Sequence, residues 1–248
     1  MDSYPEEYCK ECGKPIQYQT LSCLGLNKLI RIDCECEEKK RQEQEALKAE
    51  RKHRECVERL RQFSGMPLEQ QECLLSEFIP RAGTEKHLNA CLAYTDKFDE
   101  YCKQGRGILF TGSTGSGKTH LASGIANELI EREIPVKFEV VPELLQKIQA
   151  TYSSFAESED SVISPLKKCR LLILDELGGE KPSEWTMTIL HNIINYRYIN
   201  YKPTIITTNL TTSELGNVLG ARTVDRILDK NKPRFYALTM AASSYRRG

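Results

Sequence analysis

Residues 112–119 read Gly112-Ser113-Thr114-Gly115-Ser116-Gly117-Lys118-Thr119. The order Gly-x-x-x-x-Gly-Lys-Thr is that of a loop which cradles the phosphates of a nucleoside triphosphate. The flanks agree with it. Ile108-Leu109-Phe110 leads in as a buried strand does, and Leu121 to Ala126 leads out with helical spacing. Strand, loop and helix in that order are the context the motif requires.

The residue types carry the chemistry. Gly112, Gly115 and Gly117 let the backbone turn tightly and bring its N–H groups up to phosphate oxygens. The helix starting near Lys118 adds its positive dipole end. Lys118 is expected to reach the β- and γ-phosphates and the Thr119 hydroxyl to bind magnesium. Ser113, Thr114, Ser116 and His120 complete the expected nucleotide contacts. The second half of the site is Leu171-Leu172-Ile173-Leu174-Asp175-Glu176. Four consecutive apolar residues suit a central parallel strand covered on both faces. Asp175 and Glu176 then fall at its carboxyl end, where open α/β sheets place their ligands. Asp175 is expected to hold the magnesium and Glu176 to polarise the attacking water.

The chain has 248 residues, enough for one large core or one domain with an appendage. Its 35 basic and 35 acidic residues balance, so any contact with nucleic acid has to come from a local patch. No apolar run spans a bilayer and the first residues lack a signal-peptide core, which predicts a cytoplasmic protein with no membrane partner. In that compartment ten cysteines point to metal or buried thiols rather than disulfides.

Composition divides the chain into three: a cysteine-rich module (1–38), a charged helical linker (39–67) and an ATPase domain (68–248). Residues from about 37 to 62 are dense in both charges without glycine or proline, the pattern of a solvated helix. From 68 onward strands alternate with helical patterns, as in a βαβ sheet. The expected strands are Gly107–Thr111, Val136–Val141, Leu171–Asp175, Thr204–Thr208 and Arg234–Leu238. Residues 1–38 hold five of the ten cysteines. Cys9-Lys-Glu-Cys12-Gly13 and Cys34-Glu-Cys36 offer two close thiolate pairs, matching a tetrahedral structural zinc site. Such a site supplies on the order of 10 kcal/mol to a segment too small to fold on its own core. Cys23 lies between the pairs and is an alternative to Cys36.

Thr207-Thr208-Asn209 closes the fourth strand, where Asn209 is placed to orient the attacking water, although a turn asparagine is an equal reading of that position alone. Arg222 and Arg226 share one helix face; from the residues alone a surface ion pair competes with a role at a neighbouring subunit's γ-phosphate.

The order of these motifs resembles the AAA+ ATPases of the DnaC/DnaI type, the bacterial and phage loaders of the replicative DNA helicase. The matching stretches are Gly112–Thr119, Leu171–Gly178, Thr207–Leu210 and Arg222–Arg226, and the cysteine module resembles the zinc-bearing, helicase-binding domain of such loaders. The resemblance implies an AAA+ P-loop NTPase core, a parallel sheet flanked by helices, with ATP, Mg2+ and Zn2+ bound. By position it implies that Asn209 is sensor 1, Arg226 the arginine finger, Arg222 a second trans-acting arginine and Arg246 sensor 2. It also implies a single-stranded DNA site at about 142–165, where Lys147 meets a phosphate and Tyr152 or Phe155 stacks on a base. Acidic Glu157, Glu159 and Asp160 oppose such a contact in the loop itself. The implied function is ATP-dependent loading of a hexameric replicative helicase onto single-stranded DNA, with ATP-dependent self-assembly. An IstB-like transposition helper and an ATP-binding adaptor with little turnover are the alternatives, and the four-cysteine module favours the loader.

Overall fold

For Cys9 and Cys12 to meet Cys34 and Cys36 the intervening chain has to reverse direction, and it does so as a hairpin. The computed structural model describes residues 7–23, 26–81, 83–153, 158–179, 183–229 and 234–240; of Cys23, Leu26 and Asn27 it describes the backbone only. Two units emerge, Met1–Cys56 and Val57–Gly248. In the first, β1 (Gln17–Cys23) pairs antiparallel with β2 (Leu26–Ile32), from Gln17 opposite Ile32 to Cys23 opposite Leu26. This hairpin is absent from the compositional reading, because no Asn-Gly or Asp-Gly turn marks it. Helix α1 (Glu35–Ser64) follows and is shared between the units. It is longer at both ends than the charged stretch that announces it. Among the described residues no helix is long and apolar enough to cross a membrane.

The second unit opens with α2 (Leu68–Gln71), a 3-10 turn at Leu75–Glu77, α3 (Glu85–Asp96) and α4 (Phe98–Gln104). Strands and helices then alternate: β3 (Gly107–Gly112), α5 (Lys118–Glu131), β4 (Val136–Val140), α6 (Val141–Thr151), α7 (Glu159–Lys168), β5 (Leu171–Leu177), α8 (Glu184–Ile199) and β6 (Thr204–Thr208). Helices α9 (Thr212–Leu219) and α10 (Ala221–Ile227) precede β7 (Phe235–Met240). All five strands pair in parallel in the order β4-β5-β6-β3-β7. The expected sheet is present, with shifted ends. Pro142 enters the first turn of α6 and ends β4 at Val140, one residue early. β5 runs two residues beyond Asp175, through a bulge.

Period-two alternation sorts the strand residues into two cores. Ile108, Phe110, Leu171, Ile173 and Ile205 join Leu121, Ile125 and Leu129 of α5 on one face. Leu109, Leu172, Leu174 and Ile206 join Leu144 of α6, Leu166 of α7 and Leu190 of α8 on the other. Burial on both faces is why β5 reads as an unbroken apolar run.

Behind the second core lies a cation that the apolar pattern does not announce. Arg197 of α8 is completely buried. Its guanidinium donates to the carbonyls of Leu166 (2.7 Å), Cys169 (3.0 Å) and Pro203 (2.5 Å) and to Thr204 Oγ1 (3.0 Å). Burial lowers its pKa, and the carbonyl dipoles at the C-terminal end of α7 stand where a carboxylate usually would. It thereby joins the start of β6 to the turn that starts β5. Arg197→Leu strands these carbonyls in the interior, and we expect a loss of about 3–5 kcal/mol in urea unfolding, with the secondary structure retained at low denaturant.

Candidate nucleotide site and cysteine cluster

β3 ends in a glycine because nothing larger fits. Gly112 has φ +140°, and a Cβ there would lie 2.2 Å from the Met240 carbonyl oxygen of β7. Gly115 (φ +78°) and Gly117 (φ +92°) continue the left-handed turn, and Gly117 caps α5. The loop wraps Lys118, which is 7% exposed. Its ammonium donates to the carbonyls of Gly112 (3.0 Å) and Ser113 (2.8 Å) and to Asn209 Oδ1 (2.8 Å); Ser116 Oγ lies 3.5 Å away. Burial lowers the lysine's pKa, opposed by the fields of Asp175 and Glu176. The structure thus brings Lys118 and Asn209, ninety-one positions apart, into direct contact. Ser116 is buried and Thr114 exposed.

Asp175 is 2% exposed, and burial raises its pKa against the pull of its hydrogen bonds. Thr119 Oγ1 donates to Oδ1 at 3.0 Å, and Thr207 Oγ1 donates to the same oxygen at 2.5 Å. A carboxylate and a hydroxyl converging beside a phosphate-type loop are hard oxygen donors suited to Mg2+. Glu176 is exposed next to it, with φ +57°.

A cavity beside the phosphate loop is missing from the sequence reading. A cavity of about 310 Å³ runs from Gly115, Lys118 and Thr119 to Gln70, Phe78 and Ile79. Its far wall is tied to the same helix that carries Lys118. Asn127 Nδ2 donates to the carbonyls of Gln70 (2.9 Å) and Cys73 (2.7 Å), and His120 Nε2 lies 3.0 Å from the Leu74 carbonyl oxygen. His120 also packs on Phe78, ring centroids 5.4 Å apart. The signal for this wall is that Asn127 lies about two turns beyond His120 on the same face of α5, and no motif records it.

Arg222 and Arg226 lie on α10. The Arg226 guanidinium stands 5.9 Å from the Tyr198 ring, and its buried Nη1 has no hydrogen-bond partner among the described residues. Both arginines lower the pKa of His191, after burial, and His191 Nδ1 meets Thr223 Oγ1 at 2.7 Å. The hydrogen bonds of this chain's own Lys118 and Asp175 do not involve them. Arg246 and Phe155 lie outside the described residues. Lys147 is exposed on α6, beside the partly buried Glu139, whose pKa burial raises. The Tyr152 hydroxyl donates to Glu159 Oε2 (2.5 Å) and accepts from Trp185 Nε1 (3.0 Å), so this aromatic is already engaged by an acid and an indole.

In the first unit, Cys9, Cys12, Cys34 and Cys36 form one cluster, their sulfurs all within 4.8 Å of one another. Gly13, at φ +68°, donates to the Cys9 carbonyl (2.8 Å) and closes the knuckle. Cys34 precedes α1 and Cys36 sits in its first turn, where the helix dipole favours thiolates; this is how a Cys-x-Cys pair points both sulfurs one way. Hydrogen bonding within the cluster lowers the Cys34 pKa to about 6 and raises that of Cys36, as sulfurs do when they compete for one proton. Four convergent thiols suit a tetrahedral ion with bonds of about 2.3 Å.

A glycine-rich loop around a buried lysine, with an acid at the end of a parallel strand separated from the loop's own strand by one other, defines an AAA+-type P-loop protein. The chain belongs to the IstB-like ATP binding protein family, whose profile matches residues 40–248. Over 164 residues it is 29% identical to the replicative helicase loader DnaC of Escherichia coli K12, covering 66% of each chain. The crystal structure of the DnaC helicase loader superposes with a TM-score of 0.62 at 25% identity, covering 70% of this chain and 99% of that one. That of DnaI gives 0.60 at 26%, covering 73% and 94%.

The tightest constraint in this site is steric. Gly112→Ala, with a blocked Cβ and a disfavoured φ, should cost about 3 kcal/mol or more in thermal or urea unfolding. Unchanged stability would mean that β7 does not approach the loop this closely.

Proposed function

We propose that this protein is an ATP-dependent loader of a hexameric replicative DNA helicase onto single-stranded DNA, with ATP hydrolysis as the assembly switch. The observation that carries the ATPase part is the convergence of Lys118, Thr119, Asp175 and Asn209 at one end of the sheet. The loader part rests on the likeness to DnaC and DnaI, together with the four-cysteine cluster. In this reading 1–38 is a zinc-binding docking module, 39–67 a linker and 68–248 the ATPase domain. The transposition-helper and low-turnover adaptor readings are weaker: the first because of the cysteine cluster, the second because Glu176 is present.

Each residue has a task. The loop from Gly112 to Thr119 binds the phosphates through backbone N–H groups, and Lys118 exchanges its carbonyl contacts for β- and γ-phosphate oxygens. Thr119 and Asp175 hold Mg2+, which when bound offsets charge on the phosphates. Glu176 takes a proton from the attacking water and Asn209 orients it. His120 and Phe78 flank the base. Arg226 and Arg222 are offered to the ATP of a neighbouring copy, and Arg246 to the chain's own. Lys147 and Tyr152 contact single-stranded DNA; for Tyr152 this means giving up its bond to Glu159. Zn2+ in the cysteine cluster holds the docking module in shape.

Glu176→Gln should bind ATP and stall before hydrolysis, with turnover reduced at least about 100-fold and affinity within about twofold. Turnover at the wild-type rate removes Glu176 as the base. Metal analysis should find one zinc per chain, lost in Cys9→Ser. The decisive experiment is co-purification with the host's replicative helicase, with and without ATP. Wild type should form a complex and Cys9→Ser should not. No complex with wild type under any nucleotide condition overturns the loader reading.

A further inference from the structure

In a regular strand consecutive side chains point to opposite faces of the sheet. Asp175 and Glu176 are consecutive, and yet both are needed at the same end of β5. The structure resolves the conflict with a bulge. Pairing of β5 with β6 runs in register to Leu174 opposite Ile206, then shifts and resumes at Leu177 opposite Thr208. Within the shift Glu176 adopts φ +57°, a left-handed conformation that a non-glycine residue holds only under constraint. Asp175 stays buried while Glu176 is exposed.

One hydroxyl holds both. Thr207 of β6 is 1% exposed, and its Oγ1 donates its hydrogen to Asp175 Oδ1 at 2.5 Å. The same oxygen accepts the backbone N–H of Glu176 at 3.1 Å. We propose that Thr207 is a positioning residue for ATP hydrolysis, a single hydroxyl that aims the Asp175 carboxylate at the metal and pins the bulged backbone that presents Glu176 to the water. This rests on the ATPase reading above. Thr207 touches neither nucleotide nor metal in this scheme and acts only through its two partners. The neighbouring Thr208 does not duplicate the role, since its hydroxyl donates to the Leu177 carbonyl (2.6 Å) and accepts from the Leu210 N–H (3.0 Å). Thr119 cannot replace it either. Its hydroxyl reaches Asp175 but no hydrogen bond joins it to the Glu176 backbone among the described residues.

The test is Thr207→Val, which keeps the shape and removes both hydrogen bonds, with Thr207→Ser as the conservative variant. Removing the outer partner of a metal-ligating group costs about 10–100-fold in metal affinity or activity. For Thr207→Val the half-saturating Mg2+ concentration should therefore rise about tenfold or more, and kcat at saturating Mg2+ should fall about tenfold or more. KM for ATP at saturating Mg2+ should stay within about twofold. Mn2+ binding to the ATP complex, followed by electron paramagnetic resonance, should weaken in parallel, which gives a readout independent of turnover. Thr207→Ser should restore all three. Should Thr207→Val melt far below wild type, Thr207→Cys, whose thiol bonds weakly, decides the matter by falling between Val and Thr. The proposal is overturned if Thr207→Val keeps wild-type Mg2+ dependence and kcat, or if Ser fails to rescue. A wild-type protein that neither binds nor hydrolyses ATP, like its Lys118→Ala variant, defeats the ATPase reading instead.

Discussion

A carboxylate carried into a nearly dry position near the end of the interior strand β5 is the constraint around which this site is organised. Asp175 has almost no exposed surface, so its oxygens need partners from the protein. They come from two directions, Thr119 on the helix after the phosphate loop and Thr207 on the adjacent strand. The phosphate loop, β5 and β6 must therefore keep a fixed relation to one another. The strand order β4-β5-β6-β3-β7 supplies it, because β6 lies between the strand carrying Asp175 and the strand that feeds the loop.

Lys118 shows the same economy. Its ammonium is almost buried without an ion pair among the described residues, held by two loop carbonyls and the Asn209 amide. Those contacts are modest relative to what a charged phosphate offers, so the amine is pre-placed and readily transferred. Asn209 therefore links the end of β6 to the loop before any chemistry takes place. Across the cavity, Asn127 and His120 extend the control of α5 to the segment 70–74, so one helix determines the position of both walls.

How far the chain could be read varied with the range of the interaction. The sheet was legible because strands buried on both faces are written as apolar runs, and the phosphate loop because its glycines answer a local backbone need. The bulge at Glu176 was not, since it depends on how β5 registers against β6. Arg197 was equally silent: a lone arginine in α8 carries no sign that five carbonyl and hydroxyl acceptors from two stretches of chain, 166–169 and 203–204, will surround it. Tyr152 was legible as an exposed aromatic, but its engagement by Glu159 and Trp185 needed α7 and α8 beside it.

The division follows from physical reach. Sequence by itself determined what acts within a few residues: the Gly112–Thr119 turn, the acid pair after an apolar strand, the cysteine spacings and the solvated helix. Tertiary structure alone decided what acts between strands and helices far apart in the chain. It brought Asn209 to Lys118, Thr207 to Asp175 and Gln70 to Asn127, and it set Cys34 and Cys36 at a helix start facing Cys9 and Cys12. Hydrogen bonds and metal-type clusters are satisfied over about 3 Å in space whatever the separation in sequence, so only the folded chain could name those partners.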